Sequence, residues 1–196
     1  LGTESYSVGM AKLYWMGTSS TASTNALYNA LKANPNTAAA AYSFGNIVAA
    51  EITPNITYLD HFTSYRGDRR KDKTVAIQKS ISIPFTFDEI NATNIRRFFY
   101  ASTLGTDKYN VMQSTNIPQE GTAVLYFSTD IGKDFMYVIP RCALRADGGL
   151  PFNLDGWING KFTIEVLHDE DYVASGTTTL SPYGFLDLSA VATAAP

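Results

Sequence analysis

At 196 residues, with 45% hydrophobic and 17% charged residues, the chain has the length and apolar content for one domain with a full core. A net charge of −3 argues against sequence-independent binding to nucleic acid through phosphates. A single cysteine, Cys142, excludes an internal disulfide framework and a cysteine metal cluster.

Val8 to Met16 opens the chain as a strand, with Leu13, Tyr14, Trp15 and Met16 as core candidates. Leu1 to Met16 has neither the basic end nor the continuous apolar run of a signal peptide, and the chain has no run of ~18 apolar residues suited to a transmembrane helix. Gly17 to Ala41 is rich in Ala, Ser, Thr and Asn and reads as an insertion or loop with weak structure. Within it, Leu27 and Leu31 after an Asn25 cap suggest a short surface helix ended by Asn34-Pro35-Asn36. Tyr42 to Ile52 reads as a second strand stopped by Pro54, and Ile56 to Tyr65 as a third.

From Val75 to Phe87 the odd positions are Val75, Ile77, Lys79, Ile81, Ile83, Phe85 and Phe87. The even positions are Ala76, Gln78, Ser80, Ser82, Pro84 and Thr86, small or polar throughout. That pattern predicts one half-buried strand paired with the strand ending near Tyr65. At ~3.3 Å per residue it would reach about 43 Å, roughly twice the usual strand, a length suited to protrusion or to a wall shared between subunits. Asp88 to Ser102 then changes to a helical period. Ile90, Ile95, Phe98 and Phe99 face the sheet, Asp88 or Asn91 caps the start, and Arg96 and Arg97 point outward. Ala123 to Ser128, Phe135 to Leu144 and Lys161 to Leu167 complete the strands, and the small, uncharged tail from Ser189 to Pro196 reads as mobile. The expected fold is mainly β, a sandwich or barrel in one domain with one flanking α-helix and a long protruding β-hairpin.

Candidate chemistry is sparse. Asp60-His61 with Ser64 suggests a hydrolase at first sight, but strand neighbours face opposite sides, so Asp60 cannot orient His61. His168-Asp-Glu-Asp171 lacks the spacing of a calcium loop and reads as a solvated acidic turn. Cys142 sits in an apolar run and reads as a buried structural thiol. The chain reads as a non-enzyme with no cofactor and no metal. The segment Arg66, Gly67, Asp68, Arg69, Arg70, Lys71, Asp72 and Lys73 has five bases against two acids. It carries +3 in a chain of −3, which leaves −6 elsewhere. It reads either as a solvated hairpin tip or as a docking loop that seeks acidic surface on another subunit.

Two stretches carry a family resemblance. Tyr58-Leu-Asp-His-Phe62, the charged run Arg66 to Lys73, and Ile81-Ser-Ile-Pro-Phe-Thr-Phe-Asp-Glu-Ile-Asn91 follow in one order and spacing. Leu150-Pro-Phe-Asn-Leu-Asp-Gly-Trp-Ile158 then leads into Lys161-Phe-Thr-Ile-Glu-Val-Leu-His-Asp169. Together they resemble the major tail tube proteins of long-tailed bacteriophages; the stretch from Gly17 to Ala41 has no counterpart there. The resemblance implies a β-sandwich with a side helix that forms six-membered rings. The long strands of a ring join into a barrel, and the rings stack into a tube through which DNA passes without specific binding. It implies partners such as the tape measure and tail terminator proteins, and in such an assembly the +3 charge of Arg66 to Lys73 marks that segment as the expected contact to the adjacent ring or a neighbouring subunit. It also implies a place in the virion tail after assembly in the host bacterial cytoplasm, with no membrane partner. Two other readings stay open: the tube of a contractile injection or secretion system, and a virion decoration or receptor-binding β-sandwich.

Overall fold

The computed structural model describes residues 10–34, 42–113, 117–128, 134–151 and 158–189. The expectations for Val8, for Pro35 and Asn36, for residues 152–157 of the Gly-Trp stretch and for the tail from residue 190 lie outside them. Ten strands and two helices are described: β1 (Met10–Met16), α1 (Thr21–Ala33), β2 (Ile47–Ala50), β3 (Thr53–Tyr65), β4 (Asp68–Phe87), α2 (Ala92–Phe98), β5 (Ser102–Gly105), β6 (Lys108–Asn110), β7 (Gln119–Ser128), β8 (Phe135–Ala146), β9 (Gly160–Val166) and β10 (Phe185–Asp187).

One antiparallel sheet runs β1-β7-β8-β9-β4-β2, with β10 added to β8 and β3 to β4. Its two edges meet: Phe44 N–H donates to the Leu13 carbonyl at 3.0 Å, and Tyr14 bridges Ser43. The sheet thus rolls into a barrel, which removes the hydrogen-bonding edge β1 would otherwise expose. Inside it Phe44, Phe85, Phe87 and Phe162 pack with centroid separations of 4.9–6.4 Å, and Phe98 of α2 closes on Phe162 edge-on at 5.7 Å. Gly160 has no alternative here, because a Cβ would sit 2.3 Å from the Phe87 ring.

The other face of the same wall is also covered. Along β1, β7 and β8 the residues alternate between two cores: Leu13, Trp15, Ala123, Leu125, Tyr137 and Ile139 point into the barrel, while Tyr14, Val124, Tyr126, Met136 and Val138 meet α1. Burial on both faces is why these strands read as continuous apolar runs. The expectation of weak structure for Gly17 to Ala41 is overturned over its described part. Ser20 and Ser23 form a capping box at the start of α1, so the cap is Ser20, not Asn25. Thr24, Leu27, Tyr28 and Leu31, at helical spacing, are buried against β7 and β8. Asn25 instead anchors the C-terminal segment, donating to the Val173 carbonyl and accepting from the Tyr172 hydroxyl.

In α2 the cap is Asn91, whose side chain accepts from Asn94 N–H at 2.9 Å. Asn94 then sets the rotation of the helix by donating to the carbonyls of Phe44 and Glu89, both at 2.9 Å. Asn94, Arg97 and Phe98 face inward as a result. Ile90 packs at the edge of the core, whereas Ile95 and Phe99 are exposed, and Arg97, expected outside, is buried. Pro54, expected to end a strand, lies inside β3 opposite Ile81, which an edge strand tolerates. β4 continues unbroken through Pro84, whose carbonyl accepts from Glu51 N–H.

Asp187 of β10 ties the C-terminal segment to α1. It accepts from the Tyr28 hydroxyl at 2.6 Å, from Lys32 at 3.1 Å, and from the Ser189 amide and hydroxyl. Burial alone would raise its pKa, but these donors outweigh burial and hold it well below the usual carboxylate range. A depressed pKa contributes stability present above the unfolded-state value of about 3.9 and lost as pH falls through the folded-state value. Asp187→Asn should therefore cost about 1.5–3 kcal/mol near neutral pH in chemical denaturation, with the gap to wild type closing progressively below about pH 4. In the barrel, Phe162→Ala should cost about 3–5 kcal/mol by the same measurement, while Ile77→Ala on β4 should stay within about 0.5 kcal/mol.

Candidate assembly interface

β3 and β4 pair from Thr53 with Ser82 out to Tyr65 with Asp68. The ladder of β4 with β9 begins only at Ile81, so among the described residues Asp68 to Ser80 pair with β3 alone, and β3 with β4 alone. Asn55 to Tyr65 pairs with Asp68 to Ser80 in eleven rows, two β4 residues being bulged, so at ~3.3 Å per row the ribbon reaches about 36 Å beyond the barrel, with both outer edges unpaired among the described residues. An isolated pair of strands is marginal in water, and an unpaired edge is a template for another chain.

The charged run is not a loop. Only Arg66 (φ 50°) and Gly67 (φ 85°) turn the chain, a two-residue hairpin connection with both residues left-handed, while Asp68, Arg69, Arg70, Lys71, Asp72 and Lys73 belong to β4. Their charges are arranged within the ribbon. Asp60 accepts from Lys71 at 2.7 Å and Thr74 at 2.8 Å, and these hydrogen bonds lower its pKa. His61 Nδ1 meets Asp72 at 2.6 Å, Arg70 meets Asp68 at 3.4 Å, and the Arg69 guanidinium lies 4.5 Å over Phe62. Asp60 and His61 serve opposite faces, with no shared chemistry.

The alternation expected from Val75 to Phe87 divides into two regimes. Ile83, Phe85 and Phe87 are buried in the barrel and Ile81 is half-buried, but Lys79, Ile77 and Val75 are exposed. The register also shifts twice, where β4 carries an extra residue at Ile77 and another at Asp72. Directly paired residues share a face, so the first shift moves Val75, opposite Leu59, to the side away from Ile81, opposite Pro54. A strict period of two in sequence therefore spans a change of face in space.

The ribbon leaves Ile56, Tyr58, Leu59, Phe62, Val75 and Ile77 each at least 40% exposed. Four of these lie on β3 and were missed as interface candidates, because Thr53 to Tyr65 has no clean alternation to mark them. A second exposed apolar group lies around α2 and the β5–β6 hairpin, where Ile95, Phe99, Leu104, Val111 and Met112 are exposed. That hairpin has no signal among the sequence-predicted strands. Cys142 is fully buried, its thiol donating to the Gly121 carbonyl at 3.3 Å, and burial raises its pKa. His168 packs edge-on to Tyr183, and Asp169 accepts from the Asp171 amide within one turn. Among the described residues no helix is long and apolar enough to cross a membrane.

A closed antiparallel barrel bearing a long, edge-exposed ribbon defines the class of architecture. Residues 26–124 match the family described as Protein of unknown function UCP028589, and the chain belongs to that family. The matched region runs from α1 into β7 and contains the whole ribbon. No curated protein matches the chain.

Both tip residues have positive φ, and at Gly67 (φ 85°) any side chain would strain the backbone. Gly67→Val should speed trypsin cleavage between Arg66 and Lys73 several-fold while moving the thermal midpoint by less than about 2 °C, because the ribbon lies outside the core.

Proposed function

We propose that this protein is the structural subunit of a tube, a tail tube protein whose copies close into rings that stack. The carrying observation is the ribbon: about 36 Å of two-stranded sheet with two edges unpaired among the described residues and six exposed large apolar side chains. A monomer gains little from such an arm. Subunits flanking one another in a ring supply edges for it, and a symmetric closure repeats each contact at every subunit. The sequence resemblance at Tyr58 to Phe62, Arg66 to Lys73 and Ile81 to Asn91 falls on this ribbon and the segment leading into α2, and supports the same reading. The tape measure and terminator proteins are the further partners it entails, with DNA as cargo of the lumen and the virion tail as its place.

The net +3 charge of Arg66 to Lys73 in a chain of −3 favours register and encounter more than affinity, since exposed ion pairs contribute about 0–1 kcal/mol each.

The test is negative-stain microscopy of the purified chain. Tyr58→Ser with Ile77→Ser should keep the barrel folded by circular dichroism, within about 1 kcal/mol of wild type, and abolish rings or tubes. Reversal of Arg69, Arg70 and Lys71 to Glu should slow tube growth, and rising salt should slow it in the wild type. A wild type that stays monomeric at every concentration and salt, or tubes that form normally from the double Ser variant, would sink the proposal.

A further inference from the structure

Beneath α2 lies a cleft of about 310 Å³ lined by Trp15, Thr93, Arg96, Arg97, Gln119 and Glu120. Arg97 is 8% exposed, yet among the described residues no carboxylate pairs with it. Its guanidinium has five N–H donors, and among the described residues its hydrogen bonds are two long ones, to Asn94 Oδ1 at 3.4 Å and the Trp15 carbonyl at 3.3 Å. The rings of Phe44 and Trp15 lie against it, at 4.6 and 5.2 Å. Beside it, the half-buried Arg96 has its Nε buried without a hydrogen-bond partner among the described residues, its guanidinium over the Tyr109 ring at 4.7 Å. Burial and the adjacent Arg96 charge push the Arg97 pKa down to about 10, which leaves it cationic at neutral pH.

Two neighbouring guanidinium groups in a partly desolvated cleft repel each other, and a buried cation without a counter-ion is costly. Glu120, the acid on the cleft wall, is already engaged by Arg141 Nε at 3.2 Å and Nη2 at 3.0 Å. The missing negative charge must come from outside this set. With aromatic rings against the Arg97 guanidinium, its N–H edge is the part left to meet a ligand, and an in-plane, two-pronged contact matches a planar carboxylate.

We propose that this cleft is a carboxylate-binding site, with Arg97 and Arg96 gripping the ligand and the Thr93 hydroxyl and Gln119 amide at its wall. The carboxylate comes either from an acidic side chain of a second copy or from a free small dicarboxylate. The site stands independently of the tube reading, because none of its residues belongs to the ribbon.

Calorimetric titration of the full chain with succinate tests it, with inorganic phosphate as the tetrahedral comparison. Saturable one-to-one succinate binding, weakened about tenfold or more in both Arg96→Gln and Arg97→Lys, is the expected result; the lysine keeps the charge and loses the planar fork. Arg96→Gln, at the half-buried position, keeps the test valid if the Arg97 variant fails to fold. Sedimentation with saturating succinate separates the sources: dissociation of oligomers assigns the carboxylate to a neighbouring copy, and an unchanged oligomer assigns it to a solute. Phosphate binding that excludes succinate overturns the proposal. So does an absence of succinate heat combined with an oligomeric state indifferent to Arg96→Gln.

Discussion

Everything in this molecule hangs on β4 being one uninterrupted strand with two environments. At its C-terminal end Ile83, Phe85 and Phe87 are held inside the barrel by β9, β2 and the rings of Phe44 and Phe162. Burying such side chains contributes about 1.5–3 kcal/mol each, whereas a cross-strand pair on the free ribbon contributes about 0.2–1 kcal/mol. The buried end therefore fixes the direction and register of the exposed end. Pro84 lacks an amide donor but keeps its carbonyl bonded by Glu51 N–H, and the unbroken strand transmits the geometry of the core to its tip.

The barrel meets that role by being rigid on both sides of its wall. β1, β7 and β8 send alternate residues to the aromatic interior and to α1, and β8 is flanked along its length by β7 on one side and by β10 and β9 on the other. A buried chain of hydroxyls, Thr24 to Thr122 and Thr122 to the Pro140 carbonyl, seats the helix at a fixed height on the sheet. Tyr126 of β7 donates to Asp134, just before β8, at 2.5 Å and ties the two strands together. Each of these is a satisfied polar contact in a dry layer, where an unmet partner would cost more than the contact gains.

Much of the fold was legible because the period of two is a physical consequence of one-sided burial. The mainly-β class, the pairing of the long strand with its predecessor, and Asn91 as a cap all followed from that and from local chemistry. Three things were not legible, each for a stated reason. The phase change at Ile77 is invisible, since a bulge alters which face a residue joins without altering the sequence alternation. The inward Arg97 was missed because its burial depends on Asn94 reaching the Phe44 carbonyl, a contact across 50 positions of sequence. The seating of α1 was missed because its buried stripe includes Thr24 and Tyr28, which an apolar count passes over. Of the candidate interface, the charges were legible and the apolar side chains of β3 were not, because exposure on both faces leaves no periodic mark.

The lone ladder of the ribbon carries a consequence for amide protons. Along Asp68 to Ser80 the N–H groups alternate between those directed at β3 and those directed outward, so hydrogen exchange there should follow a slow–fast rhythm, residue by residue, broken at the two bulges. Barrel amides wait for global opening and keep no such rhythm. When another chain joins an edge, the fast row becomes protected while the slow row barely changes. The ribbon is thus its own isotope clock for association, readable from the backbone without any label on the side chains.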